Sequence, residues 1–326
     1  MRRLVARDER WPLREAFVIA RGAKRQAHVV VVEITDGVHH AHGEAVPYAR
    51  YGEDVPGVLA QIDALRPAIE AGADREALLR LAPPGAARNA IDCALWDLEA
   101  KQAGVRAWDL VGRPPPSPVK TCYTLSRAAP AAMAKAATAN ARRPMLKLKI
   151  AGADDLAAVE AVRAAAPRTR LIVDANESLS FEDLQRLAPE LVRLDVQMLE
   201  QPLPVGEDAV LQGYESPIPL GADESLHTRA DLEACAARYT CVNVKLDKAG
   251  GLTEALALAQ DVRARGLDLM VGCMVGTSLA MAPAMMLTPG ARFVDLDGPL
   301  LLARDREPGL SILGSMIEPP PAGLWG

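Results

Sequence analysis

The sequence predicts an α+β domain followed by a parallel β/α barrel. Eight short apolar runs alternate with Ala-rich amphipathic stretches through residues 119–295. The first third of the chain has a different texture, with β-branched and helical patterns but no such alternation. Between the two lies Pro114-Pro115-Pro116-Ser117-Pro118, a stiff linker. A length of 326 residues leaves room for two domains or a barrel with an addition.

In the first part, Val29-Val30-Val31-Val32-Glu33-Ile34 is a β-branched run that ends at the turn Asp36-Gly37. An earlier strand through Leu4 and Val5 would pair with it in a small antiparallel sheet. Helical patterns follow over residues 58–70 and 86–102. The second carries Ile91, Leu95 and Leu98 on one stripe and stops at Gly104.

The barrel runs are residues 119–124, 145–149, 171–174, 196–200, 218–223, 241–245, 267–273 and 292–295. The stretches between them, for example 154–166 and 252–265, are each long enough for a helix. Strands alternating with helices make a parallel barrel. No helical pattern follows Asp295, where Asp297-Gly298-Pro299-Leu300 leads into a tail expected to return to the first domain.

Half of the residues are hydrophobic, so a large core can be buried. The net charge of −5 and the lack of a basic run argue against nucleic acid and anionic membranes as partners. No apolar run approaches the roughly 20 residues of a membrane span, and the start Met1-Arg2-Arg3-Leu4 leads into charged residues, unlike a signal peptide. Five cysteines without CxxC spacing read as reduced thiols of a cytoplasmic protein.

The chain has eight lysines against twenty-nine arginines, 37 in all, and three of the eight stand where barrel chemistry would need them. Lys147 and Lys149 share the period of a strand, so both point one way, inward if Leu146 and Leu148 face the helices. Burial near a cation and another ammonium favours the neutral amine that a base requires. Lys245 ends a run four strands later, across an eight-stranded barrel. Asp174, Glu200 and Asp223 each end a run between them, and three converging carboxylates call for a hard cation, Mg²⁺ before Mn²⁺. Other readings of the same residues are helix-capping acids, lysines snorkelling from an edge, and a Lys245 paired with Asp223 or Asp247. Asn176 suits either ligand orientation or a helix N-cap.

The strings Lys147-x-Lys149, Asp174-Ala175-Asn176, Glu200-Gln201-Pro202, Asp223-Glu224-Ser225 and Asn243-Val244-Lys245 resemble the enolase superfamily, muconate-lactonising subgroup, a superfamily that stabilises ene-diolates with Mg²⁺ and a Lys or His base. Asp295-Leu296-Asp297 and Phe17-Val18-Ile19-Ala20-Arg21-Gly22, with Ala86-Ala87-Arg88-Asn89-Ala90 and Cys93-Ala94-Leu95-Trp96-Asp97, narrow the resemblance to the dipeptide epimerases. It covers essentially the whole chain. It implies a (β/α)₇β barrel over residues 113–303 and an α+β capping domain over 1–112, with the tail from about 304 to 326 packing back. It implies Mg²⁺ on Asp174, Glu200 and Asp223, Lys149 and Lys245 as acid/base pair, and Lys147 beside the substrate carboxylate. Asp295 and Asp297 would hold the α-ammonium of a dipeptide, and Arg21 a side-chain carboxylate; without the resemblance they read equally as a turn and a solvated loop residue. Thr124, at the end of the first barrel run, joins the expected substrate contacts.

The activity so implied is 1,1-proton transfer at the α-carbon of the C-terminal residue, interconverting L-Ala-L-Glu and L-Ala-D-Glu in cell-wall peptide salvage. A homo-oligomer is expected. The same scaffold would suit other dipeptides, N-acylamino acid racemisation, o-succinylbenzoate synthesis or muconate cycloisomerisation; Asp295 and Asp297 count against the last three, whose substrates lack a free ammonium. The absence of a strand-end histidine after Lys245 argues against a His-base racemase. A metal-free Schiff-base aldolase and a non-catalytic metal- or peptide-binding barrel are the remaining alternatives.

Overall fold

The structure is a computed structural model and describes residues 2–326. The capping domain begins with a long hairpin, β1 (Arg3–Ile19) and β2 (Gly22–Thr35), whose tip is Ala20 and Arg21. A third strand, β3 (His40–Ala45), extends the antiparallel sheet beyond the two expected strands. Helices α1 (Val55–Glu70), α2 (Arg75–Leu81) and α3 (Ala86–Ala103) cover it. Val30, Val32 and Ile34 alternate into a core shared with Ile91, Leu95 and Leu98 of α3. That is the stripe a period of 3.6 places on one face.

After the proline linker the run at 119–124 divides. Its first half, β4 (Val119–Lys120), leaves the barrel and pairs with the tail. Its second half, β5 (Tyr123–Leu125), enters the barrel. The chain then alternates α4 (Pro130–Asn140), β6 (Met145–Lys149), α5 (Leu156–Ala165), β7 (Arg170–Asp174), α6 (Phe181–Arg193), β8 (Val196–Glu200), β9 (Leu220–Ala222), α7 (Leu232–Ala236), β10 (Cys241–Val244), α8 (Leu246–Ala249), α9 (Leu252–Ala264), β11 (Asp268–Gly272), α10 (Ser278–Ala284) and β12 (Phe293–Asp295). Strands β5 to β12 pair in chain order and in parallel. The seam is closed by Cys122 N, which donates to Val294 O at 2.8 Å.

Between β8 and β9 the expected α-helix is replaced by a short 3₁₀ turn, Asp208–Leu211. Pro202, Pro204, Gly206, Gly213, Pro217 and Pro219 crowd that crossover and break helical hydrogen bonding. A one-turn helix, α11 (Gly298–Leu301), follows β12 where none was expected, with Pro299 in its first turn. Strands β13 (Ile312–Leu313) and β14 (Met316–Ile317) pair with each other and with β4. The chain end then reaches α3, where Trp325 Nε1 donates to Cys93 O and Gly326 N to Asp97 Oδ1.

Helix α3 also docks the capping domain onto the turn after β10. Arg88 donates to Ala249 O and Gly250 O, and Asp247 Oδ1 accepts from Val46 N and Asn89 Nδ2. Gly250 and Gly251 have φ of +76° and +119°, and a Cβ on Gly251 would lie 2.5 Å from Asp92. Only glycine permits both the turn and the close approach. Among the described residues no helix is long and apolar enough to cross a membrane, and all five cysteines are free.

Candidate active site

Leu146 and Leu148 pack outward into the main core, so Lys147 and Lys149 point into the barrel. Beneath them Cys122, Met145, Ile172, Met198, Cys241, Met270 and Phe293 form an apolar floor. Register brings Lys149 opposite Asp174, and Asp174 opposite Glu200. Asp223 follows β9 and Lys245 follows β10. One carboxylate oxygen from each of Asp174, Glu200 and Asp223 lies within 4.8 Å of the others. All three residues are buried, with exposures of 0%, 0% and 2%, so their mutual repulsion is little screened.

The lysines answer that charge. Lys149 Nζ donates to Asp174 Oδ2 at 2.5 Å, and Lys245 Nζ to Asp223 Oδ2 at 2.6 Å. Lys147 Nζ lies 3.2 Å from Asp174, 2.7 Å from Glu200 and 2.9 Å from Asp295. Its approach to Glu200 Oε2 is an ion pair without hydrogen-bond geometry, and that oxygen has no hydrogen-bond donor. Asn176 Oδ1, Glu224 Oε2, Asn243 Oδ1 and Asp295 Oδ1 are likewise buried acceptors without donors. Buried acceptors normally find partners. An all-oxygen pocket with spare acceptors fits a hard divalent cation.

Burial opposes the charge on Lys147, but Asp295, Glu200 and Asp174 outweigh it and hold its pKa well above the usual lysine value. Burial likewise yields to Asp223 at Lys245. The carboxylates of the cluster thus serve as counter-charges to Lys147 and Lys245. Asp174 is held at about 2: burial raises it, and Lys149 and Lys147 pull it down further. Glu200 is pushed up to about 7 by burial and then by Asp174. Asp297 is raised to about 7 by burial and by Asp295.

Asp295 ends β12, and Asp297 Oδ2 accepts from Thr124 N at 2.6 Å across the seam. These residues, the lysines and Arg21 all line one cavity of about 750 Å³ between barrel mouth and capping domain. Asp295, Asp297, Cys273, Met274 and Leu301 border it on one side, and Arg21, Lys24 and Arg50 contribute basic groups from the capping domain. Arg21 donates to Asn176 O, Glu177, Tyr48 Oη and Glu224. Asn176 is not a helix cap; Ser180 caps α6. Asn176 N donates to Asp174 Oδ1 at 2.9 Å, and Asn176 and Gln201 adopt positive φ of 44° and 35° at the rim of the cluster.

Residues 130–321 match the enolase C-terminal domain-like family, and residues 1–112 the mandelate racemase / muconate lactonizing enzyme N-terminal domain. The chain belongs to the enolase superfamily. It is 47% identical to the L-Ala-D/L-Glu epimerase of Escherichia coli over 312 residues, 95% of this chain and 97% of that enzyme. It is 44% identical to an N-acetyl-D-glutamate racemase of Pseudoalteromonas sp. over 91% of this chain and 95% of that one. Among solved structures, an enolase family member from Agrobacterium tumefaciens with homology to dipeptide epimerases superposes with a TM-score of 0.98 at 48% identity, covering 100% of both chains. That structure holds sodium and L-Ala-L-Glu and has an ordered loop.

In this enolase-superfamily barrel three polar residues take parts that sequence reasoning did not assign. Lys248 Nζ donates to Asp223 Oδ1 at 2.7 Å and to Asn243 O at 2.9 Å, and so holds the oxygen that Lys245 leaves free. Asn243 Nδ2 donates to Glu200 Oε1 at 2.8 Å. Glu224 Oε1 accepts from both Arg21 and Asn176. The scarcity of lysine was a signal for Lys248 as much as for Lys245.

Proposed function

We propose that this protein is a Mg²⁺-dependent dipeptide epimerase that interconverts L-Ala-L-Glu and L-Ala-D-Glu. The observation that carries the reading is the stance of Lys149 and Lys245. They extend from β6 and from the end of β10, four strands apart in an eight-stranded barrel, and each meets a different carboxylate of the cluster. Two amines facing one α-carbon from opposite sides can remove a proton on one face and return it on the other.

Asp174, Glu200 and Asp223 would hold Mg²⁺, which when bound supplies positive charge for the substrate carboxylate and the ene-diolate. With Asp174 and Asp223 holding the cation, Lys149 and Lys245 would each be released from a carboxylate partner, and one would accept the α-proton while the other returned one to the opposite face. Lys147 stays beside the developing charge and steadies it. Asp295 and Asp297 receive the α-ammonium, whose charge offsets the repulsion that now raises Asp297. The backbone of Thr124 holds Asp297 in place. Arg21 faces the side chain of the second residue. This reading carries with it a cytoplasmic homo-oligomer working in cell-wall peptide salvage.

A second reading has one observation in its favour. The Pseudoalteromonas relative named N-acetyl-D-glutamate racemase acts on a glutamate whose nitrogen bears no charge. The buried Asp295/Asp297 pair favours the free ammonium of a dipeptide.

Incubation with Mg²⁺ and L-Ala-L-Glu in D₂O, followed by NMR, tests the proposal. Loss of the Glu α-proton signal with growth of the L-Ala-D-Glu epimer, both stopped by EDTA, is expected. Exchange of N-acetyl-D-glutamate in preference to the dipeptide would favour the second reading. No exchange with any dipeptide would remove the two-base reading.

A further inference from the structure

Asp223 stands one residue beyond the strand that carries it. Strand β9 ends at Ala222, and the last pair between β8 and β9 is Glu200 with Gly221. Along that edge Gln201 N donates to Gly221 O at 2.7 Å. In a regular parallel ladder the next bond would run back from Asp223 N to Gln201 O. Gln201 breaks that pattern. Its φ is 35°, and its carbonyl turns the other way to accept from Glu177 N at 2.9 Å, beyond the end of β7. A residue with a Cβ keeps such a conformation only where its surroundings fix it.

The side chain of Gln201 supplies the missing acceptor. Its Oε1 takes Asp223 N at 2.9 Å and Ser225 N at 3.1 Å. Two backbone donors at one end fix which end of the amide is the oxygen. Nε2 donates to Leu203 O and Ser225 Oγ, each at 2.9 Å, and to Tyr239 Oη at 3.2 Å. Both hydroxyls in turn donate to Asp208, in the 3₁₀ turn of the crossover. Gln201 is fully buried. Its N–H, carbonyl and side chain therefore join the ends of β7, β8 and β9, the strands that present Asp174, Glu200 and Asp223. Lys245 also holds Asp223, but by the carboxylate that a cation would take. The grip of Gln201 is on the backbone and does not compete.

We infer that Gln201 is a positioning residue for the cation site: its side chain sets where Asp223 stands relative to Asp174 and Glu200, and so sets the affinity for Mg²⁺. The inference rests on the reading of those carboxylates as a Mg²⁺ site and extends it to a residue that does not touch the ion. Residues that orient metal ligands typically contribute about 10–100-fold to affinity. The backbone bonds of Gln201 do not depend on its side chain, so a substitution isolates the bonds made by Oε1 and Nε2.

The test measures melting temperature against Mg²⁺ concentration, without dipeptide, in the natural protein, Gln201→Met, Gln201→Asn and Tyr239→Phe. Methionine keeps the length and removes the acceptor. Asparagine is one methylene shorter and draws the amide back from both N–H groups, and it carries the comparison if Gln201→Met does not fold. In both variants the Mg²⁺-dependent rise should move to about 10–100-fold higher concentration. Tyr239→Phe removes one bond at the Nε2 end and leaves Asp223 N and Ser225 N held, so its curve should follow that of the natural protein. Raising Mg²⁺ should also restore most of the α-proton exchange that the Gln201 variants lose, which general damage to the fold would not allow. A lower metal-free melting temperature with an unchanged Mg²⁺ midpoint makes the residue merely structural and overturns the inference, leaving the Mg²⁺ reading standing. An equal shift in Tyr239→Phe also overturns it, since the crossover as a whole would then set the site. A natural protein whose melting does not respond to Mg²⁺ removes the metal reading and the inference together.

Discussion

Arg21 Nη2 lies 2.6 Å from Glu224 Oε1, an ion pair that ties the tip of the capping hairpin to the strand-end that carries Asp223. Glu224 is 2% exposed, and its other oxygen has no donor. Removing Arg21 would leave this buried carboxylate with Asn176 Nδ2, 3.3 Å away, and no counter-ion on the hairpin, which costs about 1–3 kcal/mol. That penalty falls on the state in which the hairpin covers the cavity.

Arg21→Met should therefore lower kcat/KM by roughly ten- to hundredfold, each tenfold being about 1.4 kcal/mol. Because that ion pair holds the hairpin at the cavity whichever dipeptide is bound, L-Ala-L-Glu and L-Ala-L-Gln should suffer alike. Limited proteolysis should cut the hairpin tip faster in the variant. A loss confined to L-Ala-L-Glu would instead make Arg21 the reader of side-chain charge.

Asp247 makes a prediction about pH and stability. Burial raises its pKa from the ordinary aspartate value of 3.8 to about 7, although Val46 N and Asn89 Nδ2 both donate to Oδ1. The folded protein therefore holds this proton more tightly than the unfolded chain does. The stability so gained is complete below pH 3.8 and is lost as pH rises through about 7. Asp247→Asn keeps the acceptor and removes the charge. By urea unfolding it should be more stable than the natural protein at pH 8, by on the order of 1–3 kcal/mol, with the advantage shrinking towards pH 5. An advantage that does not change with pH would mean that another group titrates.

The barrel was legible because five of the candidates, Lys149, Asp174, Glu200, Asp223 and Lys245, each end an apolar run. Asp174 after Leu171-Ile172-Val173 and Lys245 after Cys241-Val242-Asn243-Val244 are marked by position alone. Residues whose parts depend on partners were not. Lys248 follows Lys245 in what reads as a turn that opens a helix, and it is buried beneath Asp223. Nothing in one sequence reveals that α3 covers that turn. Strand β3 went unread because His40-Ala41-His42-Gly43 is short and polar, and its Gly43 serves a helix contact: a Cβ there would lie 2.1 Å from Ala90 O. The division of residues 119–124 between two sheets has no local marker, because the tail that captures β4 arrives nearly two hundred residues later.

Lys149 and Lys245 give the sharpest prediction. Lys149 meets Asp174 at 2.5 Å and Lys245 meets Asp223 at 2.6 Å, from opposite sides of the barrel. If each serves one face of the α-carbon, each variant loses the acid or base of one face but retains half of the exchange chemistry. Lys149→Ala and Lys245→Ala should each slow epimerisation by about 10²–10⁴-fold, the usual worth of a positioned acid or base. In D₂O one variant should still wash deuterium into L-Ala-L-Glu and the other into L-Ala-D-Glu, each without forming the opposite epimer. Mg²⁺ binding should persist in both, since the three carboxylates are intact, and a Mg²⁺-dependent rise in melting temperature would show it. Complete loss of wash-in from both epimers in either variant, with the melting shift preserved, would mean that one lysine serves both faces and that the opposed pair is not the catalytic device.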